Sequence, residues 1–119
     1  MDLEIFGIAT CDTCRRARNW LRDHAIAHRF IDLRKDGIER EKIARWLDAA
    51  GSDRLVNRRS TTWRNLPPER RELASTEDAL TLLVEHPTLI KRPVIACGET
   101  LLVGFDDAVR TRLSAGELA

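Results

Sequence analysis

Leu3-Glu4-Ile5-Phe6-Gly7-Ile8-Ala9-Thr10-Cys11-Asp12-Thr13-Cys14 is the stretch whose reading decides the fold. Its apolar run, Leu3 to Ala9, predicts a short buried strand. Thr10, Cys11 and Asp12 then supply capping residues. Cys14, Ala17 and Leu21 recur at helical spacing, with Trp20 beside them, and predict a helix from about Thr13 to His24. Arg15, Arg18 and Arg22 fall on its polar face. Ala27 to Leu33 predicts a second strand. Strand, helix and strand at this spacing make a βαβ unit with parallel pairing.

The two thiols at the start of that helix carry the chemistry. A helix N-terminus presents unpaired N–H groups with partial positive charge, which favours a thiolate. Cys11 lies before the first turn and can face solvent, whereas Cys14 points toward the core side. That asymmetry suits an attacking and a resolving thiol, because the second is near enough to attack a disulfide formed on the first. Two buried cysteines that happen to be close are the plain alternative. Zinc fits less well: two cysteines supply half a tetrahedral site, and His24, His28, His86 and Cys97 show no paired ligand spacing. No metal site is expected, and Cys97 reads as a core strand residue.

Further along, Asp36 with Glu39 three residues on resembles a helix start. Ile43, Trp46, Leu47 and Ala50 form its apolar face, and Gly51 stops it. Residues 52–66 read as a polar segment, and Pro67-Pro68 opens a short helix through about Leu73. Ser75 with Asp78 caps a helix through His86. Residues 89–97 read as a strand interrupted by Arg92-Pro93, Gly98-Glu99 as a turn, and Thr100 to Val103 as a strand. Asp106 caps a last helix containing Val109 and Leu113. The order is that of an α/β, thioredoxin-like fold with a helical insertion, about 35–86, between βαβ and ββα halves. The whole, 1–119, is expected to be one domain.

Composition narrows the function classes. Hydrophobic residues are 43% and charged residues 33%, the range of an ordinary globular core. Twenty basic and 19 acidic residues leave a net charge of +1, so no global field draws the chain to a membrane or directly to nucleic acid. Basic residues are locally dense at Arg15–Arg22 and Asn57–Arg71. Met1-Asp2-Leu3-Glu4 is acidic where a secretory signal would be basic, and three cysteines do not make a secreted disulfide framework. A reducing cytoplasm is the expected setting, where a close cysteine pair is catalytic, regulatory or metal-binding more often than structural.

Three further features matter. Proline cannot donate to a sheet ladder, so Arg92-Pro93 predicts either a cis bend with Arg92 facing a ligand, or an edge strand with a trans proline. Arg58 and Arg59 precede the hydroxyl run Ser60-Thr61-Thr62, and arginine forks bind oxyanions and carboxylates; a solvated basic loop is the alternative. Trp20, Trp46 and Trp63 are spread over separate segments and read as packing residues. No Gly-rich phosphate loop, zinc-protease helix or nucleophile elbow occurs.

Four stretches together resemble the arsenate reductase family of the ArsC/Spx type over nearly the whole chain. They are Ala9 to Leu21, Phe30 to Gly37, Leu55 to Trp63 and Leu89 to Ile95. The Asn57-Arg58-Arg59-Ser60-Thr61-Thr62-Trp63 loop is most similar to the YffB-like, reductase-related branch. The resemblance implies that Cys11 matches the nucleophile and that Arg92-Pro93 matches the active-site arginine with its cis proline. It implies no bound cofactor, glutathione or glutaredoxin as reductant, and a small oxyanion or thiol substrate. The oxyanion would be held by Arg92 and by Arg58 or Arg59. A third arginine would fall near Gly104, where none occurs, and this departure weighs against arsenate itself. Cys14 is a second departure, toward Spx-like transcription regulators, which use such a pair as a disulfide switch and bind RNA polymerase.

Overall fold

The structure is a computed structural model and describes residues 3–116; the Met1-Asp2 start lies outside the described residues. The chain forms two compact units, the first from residues up to Asp36 together with Arg92 onward, the second from Gly37–Lys91.

The first unit is a four-stranded sheet with two helices. Its elements are β1 (Leu3–Gly7), α1 (Asp12–Asp23), β2 (Arg29–Asp32), β3 (Val94–Cys97), β4 (Thr100–Val103) and α6 (Asp107–Ala115). Strand order is β2-β1-β3-β4. β1 runs parallel to β2 and antiparallel to β3, and β3 runs antiparallel to β4. A βαβ half joined to a ββα half in this order is the thioredoxin-like fold. Ile5 and Ile95, opposite each other in the sheet, are buried with Ala17 and Leu21 of α1 and Val109 and Leu113 of α6. Cys97 is buried in the same cluster. Trp20 packs at its margin, its ring stacked 3.9 Å from His24 and edge-on 5.8 Å from Phe105.

The second unit holds α2 (Arg40–Ala50), α3 (Ser52–Leu55), α4 (Thr61–Arg64) and α5 (Thr76–Glu85). Ile43, Trp46 and Leu47 of α2 are buried, as are Ala79, Leu80, Leu82 and Leu83 of α5. Gly51, at φ +83°, ends α2. Ser75 accepts from the Asp78 N–H, as its capping position predicts.

Several boundaries differ from the sequence expectation, each for a local reason. α1 starts at Asp12 with Cys11 itself as N-cap, one residue before the predicted start. Asp36 caps no helix: its carboxylate accepts from the Asp32 N–H, and Gly37, at φ +73°, turns the chain so that α2 starts at Arg40 with Glu39 as N-cap. Residues 52–66, read as merely polar, contain α3 and α4, the latter capped by the Ser60 hydroxyl accepting from Trp63 N–H. The helix after Pro67 shortens to a 3-10 turn, Pro68–Arg70. The strand read over 89–97 begins only at Val94, because Pro87–Leu89 winds into a 3-10 turn and Pro93 has no N–H to give. Ile90 instead makes an isolated antiparallel bridge to Val56.

One buried carboxylate ties the first unit together at the end of β1 and β2. Asp32, 6% exposed, accepts from the N–H groups of Ala9, Arg34 and Lys35. The Lys35 and Ala9 amides hold its pKa below the usual 3.8, against the cost of burial. A depressed folded pKa stabilises above the unfolded value and is lost as pH falls through the folded one. Asp32→Asn should therefore destabilise the protein by about 1–3 kcal/mol at pH 7, since an amide cannot accept from all three donors. The gap to wild type should begin to narrow near pH 3.8 and close as the pH falls through the lower folded value. Urea denaturation at stepped pH measures both effects, and a constant gap would assign Asp32 no charged role.

Candidate active site

The site forms where the chain leaves β1. The Cys11 N–H donates to the Ile8 carbonyl at 3.0 Å, closing a turn, and the Arg15 N–H donates to the Cys11 carbonyl at 3.0 Å, opening α1. Ala9 is pinned from the other side by Asp32 at 3.0 Å. The loop is thus held at both ends, and its last residue is the half-buried Cys11. Asp12 and Arg15 in the first turn pair with each other.

Cys14 lies on the inward face of α1 with no exposed surface. The backbone of Gly7 passes beside it: a Cβ on Gly7 would lie well inside van der Waals contact of the Cys14 Sγ. Arg92 reaches the same place from the other half of the fold, ahead of the cis Arg92-Pro93 bond. The Pro93 carbonyl accepts from the Gly104 N–H at 2.8 Å, which fixes the bend against the end of β4. Of the two predicted geometries at Pro93, the cis bend is the one found.

Electrostatics separates the two thiols. Burial alone raises Cys11, but the Cys14 backbone N–H, the Cys14 thiol and Arg92 together outweigh it, and the net pKa falls below 9.0. The Cys11 side chain makes no conventional capping bond, so its stabilisation comes from these softer contacts to sulfur. Cys14 is pushed up to about 11, first by burial and then by the charge and hydrogen bond of Cys11, against a lowering contact from the Ile8 backbone. The arrangement favours the thiolate at Cys11 and the protonated thiol at Cys14 beside it.

The first unit therefore brings together Cys11, Cys14, Arg92 and Pro93. Arg58 and Arg59 belong to the second unit. Arg58 pairs with Asp53 at 3.2 Å and lies 5.4 Å from the Trp63 ring centre. The loop that carries them is fixed by its own bonds. Asn57 Oδ1 accepts from the Arg59 N–H, Ser60 caps α4, and the Arg64 guanidinium donates to the Arg59 carbonyl. The Arg59 residue is exposed. At Gly104 the backbone has φ +84°, a conformation that disfavours an arginine there. Among the described residues, no group of three or more His, Cys, Asp or Glu is placed to hold a metal ion, and no helix is long and apolar enough to cross a membrane.

Gly7 and Asp32 are site residues the sequence reading passed over. A glycine inside an apolar strand is a signal of close approach, and it was available. Asp32, a carboxylate closing an apolar strand, was a weaker one.

The geometry has counterparts in known proteins. Residues 6–112 match the ArsC family model. The chain belongs to the ArsC family. An uncharacterised protein of Haemophilus influenzae is 42% identical over 105 residues, 88% of this chain and 92% of that protein. Regulatory protein MgsR of Bacillus subtilis is 29% identical over 94% of this chain and 90% of its own length. A solved YffB protein superposes with a TM-score of 0.87 at 36% identity, over 98% of this chain and 99% of that one. The resemblance read from the four sequence stretches is thus the family.

Limited alkylation at pH 7 with mass mapping should label Cys11 well ahead of Cys14 and Cys97, which are buried. The rate should rise with pH about a midpoint below the ordinary thiol value. Arg92→Ala should move that midpoint upward and slow labelling at pH 7 by about three- to tenfold, the scale of one charge-assisted contact. An unchanged midpoint would detach Arg92 from the thiolate.

Proposed function

We propose that this protein is a thiol-dependent reductase of small, negatively charged electrophiles, with Cys11 as nucleophile. The observation that carries the reading is the convergence of Cys14 and Arg92 on the Cys11 sulfur at the start of α1. Arg92 favours the thiolate and offers its charge to an incoming oxyanion or to a carboxylate of a glutathione-bearing substrate. The family resemblance implies a second cation, Arg58 or Arg59; of these, Arg58 pairs with Asp53 and lies near Trp63.

For a disulfide substrate the steps balance. The Cys11 thiolate attacks one sulfur, a new S–S bond forms as the substrate bond breaks, and one thiolate leaves. Cys14 gives up its proton and attacks the Cys11 sulfur, closing an intramolecular disulfide and expelling the second thiolate. Two glutathione thiols, or the dithiol of a glutaredoxin, return the two electrons. No bound cofactor enters this cycle. The absence of an arginine at position 104 directs the proposal toward glutathione-linked disulfides ahead of arsenate.

A second reading draws on Cys14 and on the likeness to a regulatory protein over nearly full length. In it the Cys11–Cys14 disulfide is a switch on a surface that docks on RNA polymerase, as in Spx-like regulators. Affinity capture with reduced and with oxidised protein separates the two, because only the switch needs polymerase recovered in one state.

Wild type and Cys11→Ser should be assayed for glutathione-dependent reduction of a mixed disulfide and of arsenate. Wild type should turn over at least one, and the serine variant should lose about 100-fold or more, because a hydroxyl is a far weaker nucleophile near neutral pH. Equal, negligible rates in both would remove the enzymatic reading.

A further inference from the structure

We propose that Gly7 is a positioning residue for Cys11: its missing side chain is the slot that seats the Cys14 thiol against the Cys11 sulfur. This deepens the reading of Cys11 as the reactive thiol and rests on it.

Glycine at position 7 is not required by the backbone. Gly37, Gly51, Gly98, Gly104 and Gly116 adopt positive φ, and Gly7 does not. It sits in regular β1, opposite Asp32, with its carbonyl accepting from the Leu33 N–H at 2.8 Å. In such a strand alanine is the more stable choice, because glycine loses more backbone entropy on folding. The remaining reason for glycine is space. An added Cβ would overlap the Cys14 Sγ, approach the Cys14 Cβ to 3.3 Å and meet the Phe30 ring at 3.6 Å.

Cys14 has little room to retreat. It is fully buried on the face of α1 that carries Ala17 and Leu21. A helical side chain has essentially two χ1 wells open to it, because the third runs into the preceding turn. A methyl at position 7 therefore turns the thiol out of the slot into the other well. In its slot the Cys14 thiol is a hydrogen-bond partner of Cys11 and favours the Cys11 thiolate. Gly7 acts on Cys11 through Cys14, without touching a substrate.

The test is a double-mutant cycle read by the pH profile of Cys11 alkylation, with peptide mapping to assign the site. Gly7→Ala should slow labelling at pH 7 by about three- to tenfold, the scale of one lost hydrogen bond, and move the midpoint upward. Cys14→Ala should do the same. In the Cys14→Ala background, Gly7→Ala should change neither rate nor midpoint, because no sulfur remains to displace. A wild-type profile in Gly7→Ala, or equal slowing in both backgrounds, overturns the proposal. If Gly7→Ala alone fails to fold, the double variant decides: recovery of the fold on removing Sγ supports the slot, and an unfolded double overturns it. Wild-type Cys11 titrating like an ordinary thiol would overturn both the reductase reading and this inference. A low wild-type midpoint left unmoved by Gly7→Ala overturns this inference alone.

Discussion

The Asp32 carboxylate, accepting three backbone N–H groups at the end of β2, is the constraint on which the rest of the site depends. A thiolate is useful only if the chain around it holds still while the charge is exposed. The loop from β1 to α1 has little side-chain packing of its own: Ala9 and Thr10 are exposed. What fixes it is the Ala9 amide on Asp32 and the Cys11 amide on Ile8. Gly7 and Asp32 face each other across the sheet, so the strand pair itself sets where that loop begins. Because Phe6 pairs with Val94 on the other side, the same end of β1 also fixes where Pro93 and Arg92 arrive. Three chain segments far apart in sequence thus meet at one point because β1 is the central partner of both β2 and β3.

The division of labour between the cysteines follows from helix geometry. Position 11 is the N-cap, outside the first turn; position 14 is the first inward-facing helical residue. Burial acts on both thiols in the same direction, and the extent of burial and the surrounding donors decide the sign of the result. Cys11, half-buried, has enough donors to overcome it. Cys14, fully buried, does not.

Much of this was legible in the sequence, because the signals were periodic or terminal. Cys14, Ala17 and Leu21 gave the buried face of α1, Ser75 and Asp106 marked true caps, and the order of strands fixed the fold class. What was not legible depended on contacts between distant segments. Asp36 has the spacing of a capping box, but the Asp32 amide claims its carboxylate, a competition visible only once the turn is formed. Leu89 and Ile90 are as apolar as any strand residue and are fully buried, yet they serve a 3-10 turn and a single bridge to Val56. That Arg58 pairs with Asp53 and lies over Trp63 could not be read from two adjacent identical residues. Gly7 signals a close approach, but that the approaching atom is the Cys14 sulfur is visible only once the fold brings the two together.

On the reductase reading proposed above, the same electrostatics sets an order of action for the two thiols. A resolving thiol with a pKa of about 11 is by itself a weak acid at neutral pH. Part of that elevation is caused by Cys11 itself, through its negative charge and its hydrogen bond. Once the Cys11 sulfur is bonded to a substrate it carries no charge, and both contributions vanish. Burial remains, while the Arg92 charge and the Ile8 contact, which favour the Cys14 thiolate, are no longer opposed by a neighbouring anion. Cys14 therefore becomes easier to ionise once there is an adduct for it to attack. In the resting protein the proton on Cys14 stabilises the Cys11 thiolate; after attack, losing that proton costs less. The pair need not change conformation to switch roles, because forming the first covalent bond removes the charge that held the second thiol in reserve.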